Sequence, residues 1–87
     1  MYPNDVAANL NAANAAIAME NYPAARFYLD HAGNSAEALY ARSVLAALTS
    51  DYAAAAVYLD QAEKVGLDAN QEDVASLREV IDAALQR

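Results

Sequence analysis

His31 is the one histidine of an 87-residue chain that has no cysteine. Asp30 adjoins it, and a histidine with a carboxylate is a common start for acid–base or nucleophilic chemistry. Adjacent residues of a helix do not face one another. No nucleophile in the sequence is supported by a histidine and an orienting acid. In the last turn of a helix an imidazolium suits the C-terminal end of the dipole, so His31 reads as a surface cap. The carboxylates Glu72, Asp73, Glu79 and Asp82 gather near the C-terminus and read as a solvated face. Without cysteine there is no disulfide and no thiolate metal site. There is no glycine-rich phosphate loop either. No enzyme, metal or cofactor is expected.

Charge narrows the partners. Five basic and twelve acidic residues leave a net charge of −7, and Lys64 is the only lysine. Nucleic-acid binding needs clustered Lys and Arg to neutralise phosphates. Here Arg26, Arg42, Lys64, Arg78 and Arg87 stand singly among carboxylates. Nucleic acid and anionic membrane surfaces are poor partners, and a DNA-binding helix-turn-helix lacks its basic recognition helix. The acidic balance favours solubility and a basic partner. No apolar run approaches the roughly 18 residues of a membrane span, so no membrane insertion is expected. The opening Met-Tyr-Pro-Asn-Asp is neither basic nor apolar and is no signal peptide. The chain reads as a segment of a longer protein, with its compartment left open.

Hydrophobic residues make up 57%, much of it alanine, with only two glycines and two prolines. Alanine is the best helix former, and no stretch alternates with period two. The expected fold is all-α, a single domain over 1–87. A repeat organises it. Asn21-Tyr-Pro-Ala-Ala-Arg-Phe-Tyr-Leu-Asp-His-Ala32 aligns with Asp51-Tyr-Ala-Ala-Ala-Ala-Val-Tyr-Leu-Asp-Gln-Ala62, with seven of twelve positions identical at a spacing of 30. A helix precedes each segment, over Val6 to Met19 and Ala36 to Leu48. Asn21 and Asp51 are natural N-caps for the second helices, and Pro23 falls in a first turn, where it is tolerated. Gly33-Asn34 is expected to end the second helix, with Asn34 and Glu37 forming a capping box for the third. Gly66 stops the fourth. Asp68-Ala-Asn70 links to a fifth helix, capped by Asn70, with Glu72 and Asp73 suiting its dipole. Val74, Leu77, Ile81 and Leu85 form its apolar stripe. Arg78, Glu79, Asp82 and Gln86 lie on the solvated side. The units are repeat one (5–33), repeat two (34–66) and a terminal capping helix (70–86).

Within each repeat's second helix the spacing is Tyr22, Ala25, Leu29, Ala32 and then Tyr52, Ala55, Leu59, Ala62. This pattern, over roughly residues 6 to 65, resembles the tetratricopeptide family. The alanines let helix axes approach to about 8–10 Å. The resemblance implies a right-handed α-solenoid of two helix-turn-helix repeats plus a C-terminal capping helix, five helices in all. Three features depart from the family. Arg42-Ser43 stands where Leu-Gly is preferred, and Ala12-Ala13 in the first repeat. The spacing is 30, against the usual ~34. The proline of the link is absent. The head of Arg42 is expected to pair with Asp30 or Asp60 while its stem packs.

The resemblance also implies a concave groove lined by the first helices: Ala7, Leu10, Asn14, Ile17 and Ala18, then Glu37, Tyr40, Val44, Ala47 and Leu48. The amide of Asn14 can hydrogen-bond an extended peptide, and Tyr40 offers a wall and a hydroxyl. A solvated Asn14 and a Tyr40 packed on the next helix are the plainer alternatives. The family's Lys/Arg clamp for C-terminal carboxylates is missing; those positions hold Leu, Val and Ala. Phe27 and Val57 occupy equivalent positions on the second helices, where the family is mostly polar. They form either an apolar strip for self-association or docking, or a surface buried under the terminal helix or a neighbouring turn. The function implied is binding of a peptide or protein segment on the concave face. The alternative is a structural or oligomerisation segment of a larger cell-envelope or scaffold protein. Asn9-Leu-Asn-Ala-Ala-Asn14 with the Ala-rich repeats is similar to repeat segments of OmpA-like envelope proteins of Bacteroidetes, which implies a periplasmic or envelope location.

Overall fold

Side-chain oxygens set where the helices begin. The first N–H groups of a helix have no partner within it, and a short polar side chain just before the helix takes one of them. The computed structural model describes residues 5–67 and 71–86. Among them the chain is all-helical, with α1 (Val6–Ala18), α2 (Tyr22–Leu29), α3 (Ala36–Leu48), α4 (Tyr52–Val65) and α5 (Gln71–Leu85). Asp5 accepts from the Ala8 N–H at 3.0 Å. Asn21 accepts from Ala24 at 3.4 Å and Asp51 from Ala54 at 3.3 Å. Pro23 sits in the first turn of α2. The third cap corrects the sequence expectation. Ser35, not Asn34, caps α3, its hydroxyl accepting from Ala38 at 3.2 Å. Ser35 directly precedes the first helical residue in an extended conformation, which puts its oxygen within reach. Asn70, expected to cap α5, and the rest of the link 68–70 lie outside the described residues.

The two hairpin turns are copies of one another. The Asn21 N–H donates to Ala16 O at 2.8 Å and the Glu20 N–H to Ile17 O at 3.0 Å. Thirty residues on, Asp51 donates to Ala46 at 2.8 Å and Ser50 to Ala47 at 3.1 Å. This is the Schellman closure, which puts its penultimate residue in the left-handed region. Glu20 and Ser50 accordingly have φ of 60° and 65°. Asn21 and Asp51 each close one helix with the backbone and open the next with the side chain. That double use keeps each hairpin link to three residues.

A left-handed conformation costs an L-residue roughly 1–2 kcal/mol, while glycine adds ~0.4–1 kcal/mol of unfolded-chain entropy. Glu20→Gly and Ser50→Gly are therefore each expected to raise stability, by about 0.5 kcal/mol. Denaturation midpoints check this; a drop at both positions would show that the turns carry no strain. Gly66, at φ 110°, already supplies the cheap solution at the end of α4.

The second helix ends earlier than Gly33-Asn34. After Leu29 the bonds tighten to three-residue turns, His31 to Tyr28 at 3.0 Å and Ala32 to Leu29 at 3.1 Å. His31 thus lies past the last helical residue, not in the last turn. Gly33 follows with φ 75°, and an added Cβ would come within 3.3 Å of Val6.

Burial follows the 30-residue spacing. Asn9/Leu39, Ala13/Ser43, Ala16/Ala46, Ala25/Ala55, Leu29/Leu59 and Ala32/Ala62 are all buried pairs. Each helix packs on the next, and the odd-numbered helices also touch, α1 on α3 and α3 on α5. Two clusters result. One joins α1, α2 and α3 around Leu29 and Leu45. The other joins α3, α4 and α5 around Leu59 and Ile81. α3 belongs to both. The overall extents are 41 × 26 × 18 Å, and the shortest fits two helix layers spaced by about 8–10 Å.

The fifth helix repeats half of the third. A shift of 36 residues carries Ala38, Ala41, Arg42 and Leu45 onto Val74, Leu77, Arg78 and Ile81. The first set packs on or staples the α1–α2 hairpin, and the second does the same for α3–α4. Ser43 and Ala46, which face α4, become Glu79 and Asp82, both exposed. α5 therefore keeps the inward pattern and replaces the outward one with charge.

Candidate binding surfaces

The registers of 30 and 36 residues place equivalent positions on α1, α3 and α5. Three rows cross the odd-helix face: Leu10, Tyr40 and Ser76; Asn14, Val44 and Val80; Ile17, Ala47 and Ala83. Asn14 and Glu37 are exposed, as are Ala7, Ala18 and Leu48, while Leu10, Ile17, Tyr40, Val44 and Ala47 are half-buried. Leu10 and Ile17 lean on the first core and Tyr40 on the second. Burial, and then the Asp73 carboxylate, push the Tyr40 hydroxyl above the usual phenol pKa. A carboxylate of α5 is thus felt at a ring of α3.

At the other end of this face lies a hollow of about 370 Å³ lined by Tyr52, Val80, Ala83 and Ala84. Val80 is 53% exposed. The 36-residue register matches Ala84 to Leu48 of α3, so the smaller side chain leaves room beside Tyr52. The sequence reading named Tyr52 only as a repeat position and did not single out Val80, Ala83 or Ala84. Their signal was the shared Arg42/Arg78 and Leu45/Ile81 spacing.

The even-helix side carries the other candidates. Phe27 is 61% and Val57 54% exposed, and α5 covers neither. The Phe27 ring meets Tyr28 edge-on at 5.7 Å and lies 5.0 Å from the ring of His31. The imidazole Nδ1 of His31 is 2.9 Å from Phe27 O, so it caps its own helix end. Between α2 and α4, above α3, runs a cleft of about 200 Å³ with Arg26, Asp30, Thr49 and Asp51 on its rim.

Polar side chains join the hairpins at points the sequence reading placed differently. Arg42 pairs with neither Asp30 nor Asp60. Its Nη2 donates to Leu29 O at 2.6 Å and its Nη1 to Asn34 Oδ1 at 3.2 Å. The reason is that Leu29 ends α2, where carbonyls lack a helical partner and the dipole is negative. Asp60 belongs to Arg78, which pairs with it at 3.0 Å and with Glu63 at 2.7 Å. Arg78 was expected on the solvated side; instead its half-buried head staples α5 to α4. Asn9, 2% exposed, donates to Asp5 O at 3.0 Å and to His31 O at 3.3 Å, tying α1 to the end of α2. Ser43 donates to Ala55 O at 2.7 Å across the α3–α4 contact. The buried Ser43 hydroxyl is thus satisfied.

Among the described residues no three His, Cys, Asp or Glu side chains gather as metal ligands, and no helix is long and apolar enough to cross a membrane. No protein-family model, no curated protein and no solved structure matches this chain.

Proposed function

We propose that this chain is a non-catalytic protein-interaction module: a short right-handed solenoid of two tetratricopeptide-like repeats closed by α5, holding a peptide or protein segment on its odd-helix face. The observation that carries this reading is the register across α1, α3 and α5. It aligns Asn14, Val44 and Val80, and the rows beside them, into one continuous face. Such a face suits an extended segment, since half-buried apolar side chains supply contact area and Asn14 and Tyr40 supply polar anchors. Short random peptides displayed on phage and selected on the immobilised protein test it. Binders should be recovered that Asn14→Ala and Tyr40→Ala weaken and Phe27→Glu leaves alone. Recovery of binders that only Phe27→Glu removes overturns it, and so does recovery of none.

Exposed Phe27 and Val57 favour a second reading, a structural segment that self-associates or docks to a larger scaffold through the even-helix side. Sedimentation at rising concentration separates the two. A strict monomer counts against self-association, and an oligomer dispersed by Phe27→Glu supports it.

A further inference from the structure

The odd-helix face has an acidic end and an apolar end. Glu37 and Asp73 are equivalent by the 36-residue register, both exposed and both in the first turn of their helices. Neither is in an ion pair among the described residues. The cations of the same two helices are committed elsewhere: Arg42 reaches the end of α2, and Arg78 reaches Asp60 and Glu63 on α4. The groove positions of α1, α3 and α5 therefore hold two carboxylates and no lysine or arginine. The apolar end holds Leu48, 48% exposed, Val80, 53% exposed, and the hollow beside Tyr52. Asp73 lies ten to eleven residues before Ala83 and Ala84, which is about 15 Å along a helix. An extended peptide covers that in about four or five residues.

We infer that this face selects a peptide segment bearing lysine or arginine about four residues from a large apolar side chain, the cation over Glu37 and Asp73 and the apolar group in the Tyr52–Val80–Ala84 hollow. The inference rests on the odd-helix face being the binding surface. Charge complementarity commits it to a cationic partner. A carboxylate-bearing segment would meet two anions and no cation on this face, and like-charge juxtaposition is unfavourable. The hollow adds what a bare acidic surface lacks, a place for one bulky apolar group.

Fluorescence anisotropy with labelled synthetic peptides and the full 87-residue chain tests this. One peptide carries lysines and a leucine at this spacing. A second has glutamate for lysine, and a third has serine for leucine. The first should bind, and the other two about tenfold more weakly or not at all. Glu37→Gln with Asp73→Asn should weaken the first peptide about tenfold. Ala84→Leu, which restores the α3 residue, should weaken it by closing the hollow. Glu79→Gln with Asp82→Asn removes the same charge from the outward face and should change little. Equal loss from both charge pairs overturns the inference, because net charge alone then attracts the peptide. Preference for the glutamate peptide, still lost in Asn14→Ala and Tyr40→Ala, overturns the ligand class and leaves the surface standing. Binding that ignores those two variants and is lost in Phe27→Glu overturns the surface itself.

Discussion

Leu59→Ala lowers the unfolding free energy by about 3 kcal/mol, read from urea melts followed by helical circular dichroism. Leu59 is fully buried. Of the fifteen buried hydrophobic residues described, ten are alanine, leaving Leu29, Leu39, Leu45, Leu59 and Ile81 as the large ones. Alanine buries little apolar area, so each of these five carries a large share of the hydrophobic term. Leu59 lies among Ala46, Ala55 and Ile81, on three different helices. Ala55 is itself fully buried, so the backbones already touch and cannot close over a lost side chain. The cavity stays open, and the cost falls well inside the ~2–5 kcal/mol range of such truncations. A domain of this size has only about 5–10 kcal/mol in all, so the variant is near half-spent. Among the described residues contacts run only between helices one or two apart in the chain, so the loss should be uneven. Amides of α4 and α5 should lose hydrogen-exchange protection before those of α1. Leu29→Ala should reverse that order. A Leu59→Ala cost below about 1 kcal/mol would show that the helices do close over the gap.

Local chemistry made much of the fold legible in advance. Asn21 and Asp51 precede helices whose apolar positions recur with the right period, and they cap them as expected. The 30-residue match of Tyr, Leu and Asp located α2 and α4, since few other arrangements bury Leu29 and Leu59 with an alanine four residues before and three residues after each. Competition between adjacent candidates was not legible. Asn34 and Ser35 are both good caps, and only the path of the chain decides that Ser35 precedes α3 while Asn34 turns to Arg42. The earlier end of α2 has the same origin, because nothing local at Leu29 breaks a helix.

Long side chains were the least legible. Arg42 and Arg78 reach back to the preceding even helix, and their partners are set by which end of that helix they meet. For Arg42 that is the last backbone carbonyl of α2; for Arg78 it is Asp60 and Glu63. Asn9 was given no structural role from the sequence, yet it is the asparagine of α1 whose position matches buried Leu39. The 30-residue register applied residue by residue would have found it. On the odd-helix face the family resemblance pointed to Leu10, Asn14, Ile17, Glu37, Tyr40 and Val44. It did not carry the register into α5, because the link before α5 shifts the spacing to 36. Asp73, Val80 and Ala84 were therefore missed.

Arg42→Ala costs about 2 kcal/mol, as expected for a hydrogen bond from a charged donor in a partly buried site. α2 has eight residues, too few to hold a helix alone. Its C-terminal carbonyl at Leu29 receives the guanidinium at 2.6 Å, where the dipole is most negative. The same head holds Asn34, so one side chain joins the end of α2, the link and α3. Lysine lacks the planar fork needed to meet two acceptors, and Arg42→Lys should recover less than half of the loss. Arg78→Ala is the control. Its partners Asp60 and Glu63 are 58% and 46% exposed in their side chains, so its loss should stay below about 1 kcal/mol and shrink in high salt. The Arg42 loss should persist in high salt, because its main acceptor is an uncharged carbonyl shielded from solvent. If Arg42→Lys matches the parent, or salt erases the Arg42→Ala effect, the guanidinium is only a surface charge and the hairpins are joined by Ala38, Ala41 and Leu45 alone.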